Sequence, residues 1–114
     1  MAIYYNLAKV HALSEDDDDF VIQILQLFLT EVPEDLVHLN NAIEQKEYAE
    51  AHSFAHKIKP TIDLLGMNMT YEEILLIEDW AKRQGKRKEI KTVFQSVEQH
   101  IHKAMKEIRK DFSL

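Results

Sequence analysis

Residues 88–108, KEIKTVFQSVEQHIHKAMKEI, decide the fold class because their apolar side chains recur with the period of an α-helix. The steps between these side chains are four, three, four, three and four, at Ile90, Phe94, Val97, Ile101, Ala104 and Ile108. Such spacing is typical of a helix that buries one face in a bundle of helices. We therefore predict a last helix from about residue 86 to about residue 111.

Three segments before this one carry the same helical period. The first predicts a helix over about 17–45, bent near Pro33, because proline removes one backbone hydrogen bond and crowds the previous turn. The next two predict helices over about 47–65 and about 70–84, and residues 4–13 can form a short helix. We therefore predict an all-α fold, an antiparallel up-down four-helix bundle with a short N-terminal helix.

Turn and capping signals set the expected helix ends. Residues 14–19, a serine followed by five acids, predict a helix start, with a capping residue and carboxylates favoured in the first turn. Gly66 is expected to end the second long helix, and Gly85 the third. Thr70 with Glu73 has the spacing of a capping box for the third helix.

Composition excludes several classes of protein. The chain has 114 residues, of which only 4 are glycine or proline, too few for the turns of a sandwich or barrel. It has no cysteine, which excludes a disulfide scaffold, a thiolate metal site and a cysteine nucleophile. No apolar stretch approaches the roughly 20 residues of a membrane span. We expect a single domain over residues 1–114, monomeric and cytoplasmic.

Charge is divided unevenly along the chain, although the net charge is −6. Residues 1–81 hold 4 basic and 16 acidic side chains, whereas residues 82–114 hold 10 basic and 4 acidic ones. The basic side chains stand at helical spacing among apolar ones, so we expect them on a solvated helix face beside an acidic neighbour. The rest of the chain is acidic and would be repelled by a phosphate backbone, so nucleic acid is not expected as a partner. Without an apolar span, a membrane is not expected either.

The segment AHSFAHKIKPTIDLLG, residues 51–66, carries the chemistry. On a helical wheel its core stripe lies opposite His56, and the histidine is therefore predicted to face solvent. The core stripe consists of Phe54, Ile58, Thr61 and Leu65. The outer face around His56 holds His52, Ser53, Lys59, Pro60 and Asp63.

An exposed histidine one turn before a lysine suits phosphoryl transfer. A largely neutral imidazole is a nucleophile near pH 7 and can take a phosphoryl group on a ring nitrogen. The ammonium of Lys59 would lie beside the incoming phosphoryl oxygens and stabilise their charge.

These residues resemble the motif of the histidine phosphotransfer (HPt) domains of two-component phosphorelays. In that family an alanine-histidine pair is followed by a lysine and then by glycines; here the match is Ala55, His56, Lys59 and Gly66. The resemblance implies that His56 is the phosphorylated histidine and that Lys59 is the lysine beside it. Pro60 stands where the family usually has glycine.

The resemblance also implies what the domain does. It would be a phosphoryl carrier without kinase activity, exchanging the group reversibly between His56 and receiver-domain aspartates of a hybrid kinase and a response regulator. Magnesium would be bound by the receiver, so no cofactor or metal is expected here. The expected partner-binding residues are His52, Ser53, Pro60 and Asp63, together with the region Phe28 to Val32.

Three alternatives remain open at this stage. The chain can be a docking or structural bundle, including an HPt fold that has lost its activity. A metal-binding bundle would use His52 and His56, which have the i, i+4 spacing of two zinc ligands, but the motif offers no third ligand and Lys59 would repel a cation. The phosphoacceptor helix of a sensor kinase normally has an acid after its histidine, where this chain has Lys57.

Overall fold

The computed structural model describes residues 3–15 and 17–114, and that part of the chain is helical without any strand. It forms five helices, which are α1 (Ala8–Ser14), α2 (Asp18–Glu44), α3 (Tyr48–Leu64), α4 (Asn68–Lys82) and α5 (Arg87–Phe112). The predicted all-α class is thereby confirmed. Among the described helices, none is long and apolar enough to cross a membrane.

The helices pack so that α3 and α5 lie on opposite sides of the molecule. Both pack against α2 and α4, and α1 packs against α2. The apolar stripes of the four long helices and the N-terminal segment meet in one continuous core. Its largest fully buried side chains include Trp80, Phe28 and Leu25.

The acidic run before α2 begins a helix, as predicted. The carboxylate of Asp17 accepts hydrogen bonds from the backbone N–H groups of Asp19 and Phe20, at 3.0 and 3.3 Å. Asp18 and Asp19 occupy the first turn, where the helix dipole favours negative charge. Asp16, part of the same run, lies outside the described residues. The helix continues through Pro33 without a break.

The start of α4 differs from the prediction. The helix begins at Asn68, its N-cap Met67 makes no side-chain capping bond, and Thr70 is buried inside the first turn. The capping box of Thr70 with Glu73 is therefore wrong. The reason is the short turn at Gly66, whose N–H donates to the carbonyl of Asp63 at 3.0 Å, so that the chain re-enters a helix two residues later.

The two glycines have different roles. Gly66 follows α3 with a φ of 65°, in the left-handed region that favours glycine, and a Cβ there would lie 2.8 Å from the Cβ of Asn6. Gly85 does not supply the turn that ends α4, because Gln84 holds the positive φ of 52°. Gly85 instead leaves room for an aromatic ring, since a Cβ would lie 2.5 Å from Cδ1 of Trp80.

Residues 3–6 bind the bundle without forming a helix, which is why α1 begins later than predicted. The backbone N–H of Tyr4 donates to the carboxylate of Glu107 on α5 at 2.7 Å. The hydroxyl of Tyr5 donates to Asp111 at 2.7 Å. Burial, followed by this hydrogen bond to Asp111, raises the pKa of Tyr5 well above its usual range.

Candidate functional site

His56 lies in the middle of α3 with its ring on the surface. Its neighbours Ala55 and Ile58 are buried in the core, which fixes the rotation of the helix and turns position 56 outward. The side chain of His56 is 66% exposed. This placement agrees with the helical wheel.

The carboxylate of Glu78 joins the two residues that the motif singled out. Its Oε2 lies 3.0 Å from Nδ1 of His56, and its Oε1 accepts a hydrogen bond from Nζ of Lys59 at 2.9 Å. Glu78 stands on α4, with only 9% of its side chain exposed. The interface between α3 and α4 therefore holds a carboxylate that binds both groups at once.

Glu78 was missed by the sequence reasoning. Its partners precede it by 22 and 19 residues, so that no local motif contains all three. One signal was available, because Glu78 directly follows the buried Ile77 and lies one turn after the buried Ile74. An acid at the edge of an apolar stripe requires a partner when it is buried.

The contact with Glu78 determines which nitrogen of His56 is available. Burial by itself would raise the pKa of Glu78, but the hydrogen bonds from Lys59 and His56, with the charges of Lys59 and His52, outweigh burial and lower it. An ionised carboxylate only accepts hydrogen bonds, so the proton of a neutral His56 ring lies on Nδ1. The lone pair of Nε2 is then free to act as a nucleophile.

Lys59 is more enclosed than its position on the outer face suggested. Its side chain is 20% exposed. The hydrogen bond to Glu78 is the largest of the effects that raise the pKa of Lys59, and burial partly opposes them. The ammonium is therefore charged near neutral pH and is held beside the carboxylate that also holds His56.

The predicted partner-binding residues divide into two groups. The ring of His52 stacks parallel to that of His56, with centroids 6.1 Å apart, and its Nε2 lies 3.9 Å from Oε2 of Glu78. Ser53 and Pro60 are exposed on the same helix. Asp63 is bound elsewhere, since its Oδ1 accepts a hydrogen bond from Nζ of Lys9 on α1 at 2.6 Å.

The α2 side of the site also departs from the predictions. Phe28 and Val32 are buried in the core, so neither can contact a partner as expected; Leu27 is exposed instead. Lys57, the residue after the histidine, is paired with α2, because its Nζ donates to the buried carboxylate of Asp35 at 3.0 Å. That hydrogen bond is the main reason why the pKa of Lys57 is raised.

Phe54 of α3 packs against α2. It was predicted for the core stripe, and it is half-buried, stacked on the ring of His38 with centroids 5.1 Å apart. Among the described residues, including those around His56, no group of three or more histidines and carboxylates has an arrangement that could hold a metal ion.

Comparison with known families gives the class of the protein. A family model, Hpt domain, matches residues 23–111, which is more than three-quarters of the chain. The chain therefore belongs to the Hpt domain family, and the resemblance noted from the sequence is confirmed. Neither the comparison with curated proteins nor that with solved structures gives a match.

Membership of the Hpt domain family indicates the general role of the chain in signalling. Hpt domains are phosphocarriers of two-component phosphorelays, which supports a histidine phosphotransfer role in signal transduction. The family also implies interaction with receiver domains and histidine kinases.

Proposed function

We propose that this chain carries a phosphoryl group on Nε2 of His56, between receiver-domain aspartates of a hybrid kinase and of a response regulator. The observation that supports this most directly is the contact of Nδ1 with Glu78 on a ring that is 66% exposed. One nitrogen is held by the protein, while the other is directed to where a partner can reach it.

The transfer step balances without a further reactant. The lone pair of Nε2 attacks the phosphorus of an aspartyl phosphate; the N–P bond forms, the P–O bond to the aspartate breaks, and the aspartate leaves as a carboxylate. The proton stays on Nδ1, so the phosphorylated ring is cationic, and Glu78 stabilises that charge. When the N–P bond of this cationic ring breaks, the electron pair returns to Nε2 and a neutral imidazole leaves, which makes the exchange reversible.

Lys59 has a separate task in this proposal. An ammonium has three donors, and only one is used by Glu78 in this structure. The others can bind oxygens of a phosphoryl group that arrives one turn earlier on α3. The magnesium ion expected on the receiver would neutralise further charge on those oxygens. We propose no cofactor on this chain and no kinase activity of its own.

The partner surface is proposed around the same ring. His52, Ser53 and Pro60 border His56 on α3 and leave it accessible. Asp63 stays a weaker candidate, since it pairs with Lys9. The small and flat side chains at positions 53 and 60 give a receiver room to approach.

We also propose the antiparallel up-down order for α2 to α5. Their connections are residues 45–47, 65–67 and 83–86, and connections this short favour antiparallel neighbours. A monomer acting in the cytoplasm is the simplest form of such a carrier. Sedimentation of the purified protein tests whether it is a monomer.

Phosphotransfer from a radiolabelled phospho-receiver of the same organism tests the proposal. Wild type should acquire an acid-labile, base-stable label, and His56→Gln should acquire none while keeping its helicity. His52→Gln is the matched control, because it removes the stacked histidine and leaves the proposed acceptor, and it should still be labelled.

Other results would replace the proposal. Label on His56→Gln would move the acceptor to another histidine. No label on wild type from several receivers would favour a bundle that docks without transferring phosphate, and metal analysis would then test the histidine-based metal site.

A further inference from the structure

The solvent face of α5 carries two groups of cations on one line, Lys88 and Lys91 near its start and four more from Lys103 to Lys110, and we call this line the basic stripe. At about 100° per residue, six cations fall within about 60° of the line from Lys88 to Lys106, and the stripe is about 33 Å long. All six are exposed: Lys88, Lys91, Lys103, Lys106, Arg109 and Lys110. The core face of the helix, which carries Ile101 and Ile108, lies on the opposite side.

The stripe contains no acid and no apolar side chain. The other residues in the same sector are exposed and polar, namely Thr92, Gln95, Gln99 and His102. The nearest acids on the helix lie outside it, with Glu98 at about 80° and Glu89 and Glu107 at about 100°. The stripe is therefore uniform in sign over its whole length.

Acids lie near three of these cations without pairing with them, since Glu98 borders one cavity with Lys103 and Lys106 and another with Lys91 and Glu44. The structure shows ion pairs for Arg83 and Arg87 at the start of this basic region, but none of the six stripe cations pairs with a described carboxylate. Lys103 alone has another contact, its ammonium lying 5.4 Å above the ring of Tyr4. The predicted solvated face is confirmed, and the acids beside these cations form no ion pair with them.

The stripe faces away from His56. Helices α3 and α5 each pack against α2 and α4, from opposite sides. A surface bound to the stripe would leave the phosphoacceptor ring open to a receiver. The stripe therefore does not belong to the site already described.

The shape of the stripe matches a flat anionic surface. With a helix radius of about 5–6 Å, a position 60° from the centre line lies only about 3 Å further from a tangent plane. The Debye length at physiological salt is about 8 Å, so all six charges act on such a plane together. The carboxylates beside the stripe, and the acidic remainder of the chain, lie further from this plane than the stripe cations do.

Composition narrows the choice of surface. Five of the six cations are lysines, and lysine is depleted in protein interfaces, where aromatic anchors are enriched. A nucleic-acid groove would enclose the flanks of the helix and bring Glu98 and Glu107 against phosphate. A bilayer plane avoids both problems, because lysines near anionic lipid bind without apolar or geometrically specific contacts.

We propose that the basic stripe of α5 adsorbs this domain to a bilayer containing anionic lipid, with His56 facing the aqueous side. The expectation of no membrane partner rested on the lack of an apolar span, which electrostatic adsorption does not need. Binding by this surface is electrostatic and reversible, and it is independent of the proposed phosphoryl transfer.

Flotation with lipid vesicles tests the proposal on the whole chain. Vesicles of phosphatidylcholine with about 30% phosphatidylglycerol should bind wild type at about 50 mM salt, and pure phosphatidylcholine vesicles should not. At about 500 mM salt the Debye length falls to about 4 Å and the binding should be lost.

Matched triple variants locate the surface. The stripe variant combines Lys91→Gln, Lys106→Gln and Lys110→Gln. The control variant combines Lys9→Gln, Lys46→Gln and Lys82→Gln, which gives the same net charge. At about five-fold per lysine, the stripe variant should partition about 100-fold less into anionic vesicles, whereas the control should change little. Circular dichroism checks that both variants fold.

Three outcomes would overturn the proposal. The first is that wild type does not bind anionic vesicles at low salt. The second is that the two triple variants lose vesicle binding equally. The third is that wild type binds duplex DNA more tightly than the vesicles at matched phosphate concentration. The last result would assign the stripe to nucleic acid instead.

Discussion

Cations are used differently on the two sides of this bundle. On the α3 side, Lys59 contacts one carboxylate at 2.9 Å, and Lys57 contacts another at 3.0 Å. On the α5 side, six cations point to solvent and pair with no described acid. One side therefore has charges fixed in position, and the other has charges that are free to respond to an external surface.

Paired and unpaired charges differ in the distance over which they act and in how strongly salt screens them. A hydrogen-bonded pair across the α3–α4 interface fixes the direction of a lone pair over a few ångströms and is little affected by salt. Unpaired charges in a line produce a field that reaches about one Debye length and is screened by salt. The first arrangement suits chemistry at one atom, and the second suits adhesion without a fixed geometry.

The largest expected effect on this comparison comes from removing Glu78. Glu78→Met should slow phosphotransfer about 10- to 100-fold, as when the groups that orient metal-bound histidines are removed, because Nδ1 and Lys59 lose their acceptor. Glu78→Gln should lose less, since an amide oxygen still accepts a hydrogen bond. Quench-flow transfer from a phospho-receiver measures both rates.

The matched control is Glu72→Met, which removes an exposed acid of the same helix. Its transfer rate should stay within two-fold of wild type, as for most surface substitutions. Equal rates for Glu78→Met and wild type would show that the contact seen at His56 has no part in the reaction.

Exchanging one lysine on each side should separate the two kinds of charge. Lys59→Met is expected to slow transfer about ten-fold through loss of phosphoryl stabilisation. Lys106→Met should leave transfer unchanged and reduce vesicle binding instead. Both assays are run on both variants, and a shared effect in either assay would contradict the separation.

A smaller effect, on stability, is expected where a fixed charge is buried. Lys57→Met leaves the carboxylate of Asp35, only 8% exposed, without its partner and should lower the free energy of unfolding. Lys91→Met removes an unpaired cation and should cost less than about 0.5 kcal/mol. Urea denaturation compares them, and the double change with Asp35→Asn should recover part of the loss.

The smallest effect concerns pH. The pKa of Glu78 is lowered in the folded chain, because its hydrogen bonds and neighbouring cations outweigh burial. Its ionised form therefore stabilises the fold above its ordinary value of 4.5, and this contribution is lost as the pH falls through the lowered pKa. Glu78→Gln should make the urea midpoint less dependent on pH below about 4.5 than in wild type. A parallel dependence in both proteins would contradict this assignment.

The positions of the helices and the outward orientation of His56 could be predicted from the sequence, because both follow from periodicity within one segment. The seam through Ile90 and Ile101 needed no tertiary information. Capping was harder to predict, since Thr70 has the spacing of a cap yet lies in the core. Its burial depends on how the turn at Gly66 directs the chain.

The rest of the site depends on packing between helices. The contacts of Glu78 with His56, and of Lys57 with Asp35, join residues 22 positions apart on neighbouring helices. A wheel drawn for one helix cannot show them. The basic stripe is visible in the sequence of α5, but whether it is neutralised is decided by the elements around it.

The close packing of Trp80 against Gly85 makes the intrinsic fluorescence of the protein a probe of its folding. The chain has one tryptophan, Trp80, which is fully buried, and its Nε1 donates to the carbonyl of Lys86 at 2.8 Å. An indole sealed from water emits at shorter wavelength than a solvated one. Its fluorescence should therefore stay constant when either face is occupied and shift to the red only on unfolding, which provides a label-free reading of fold integrity for every variant above.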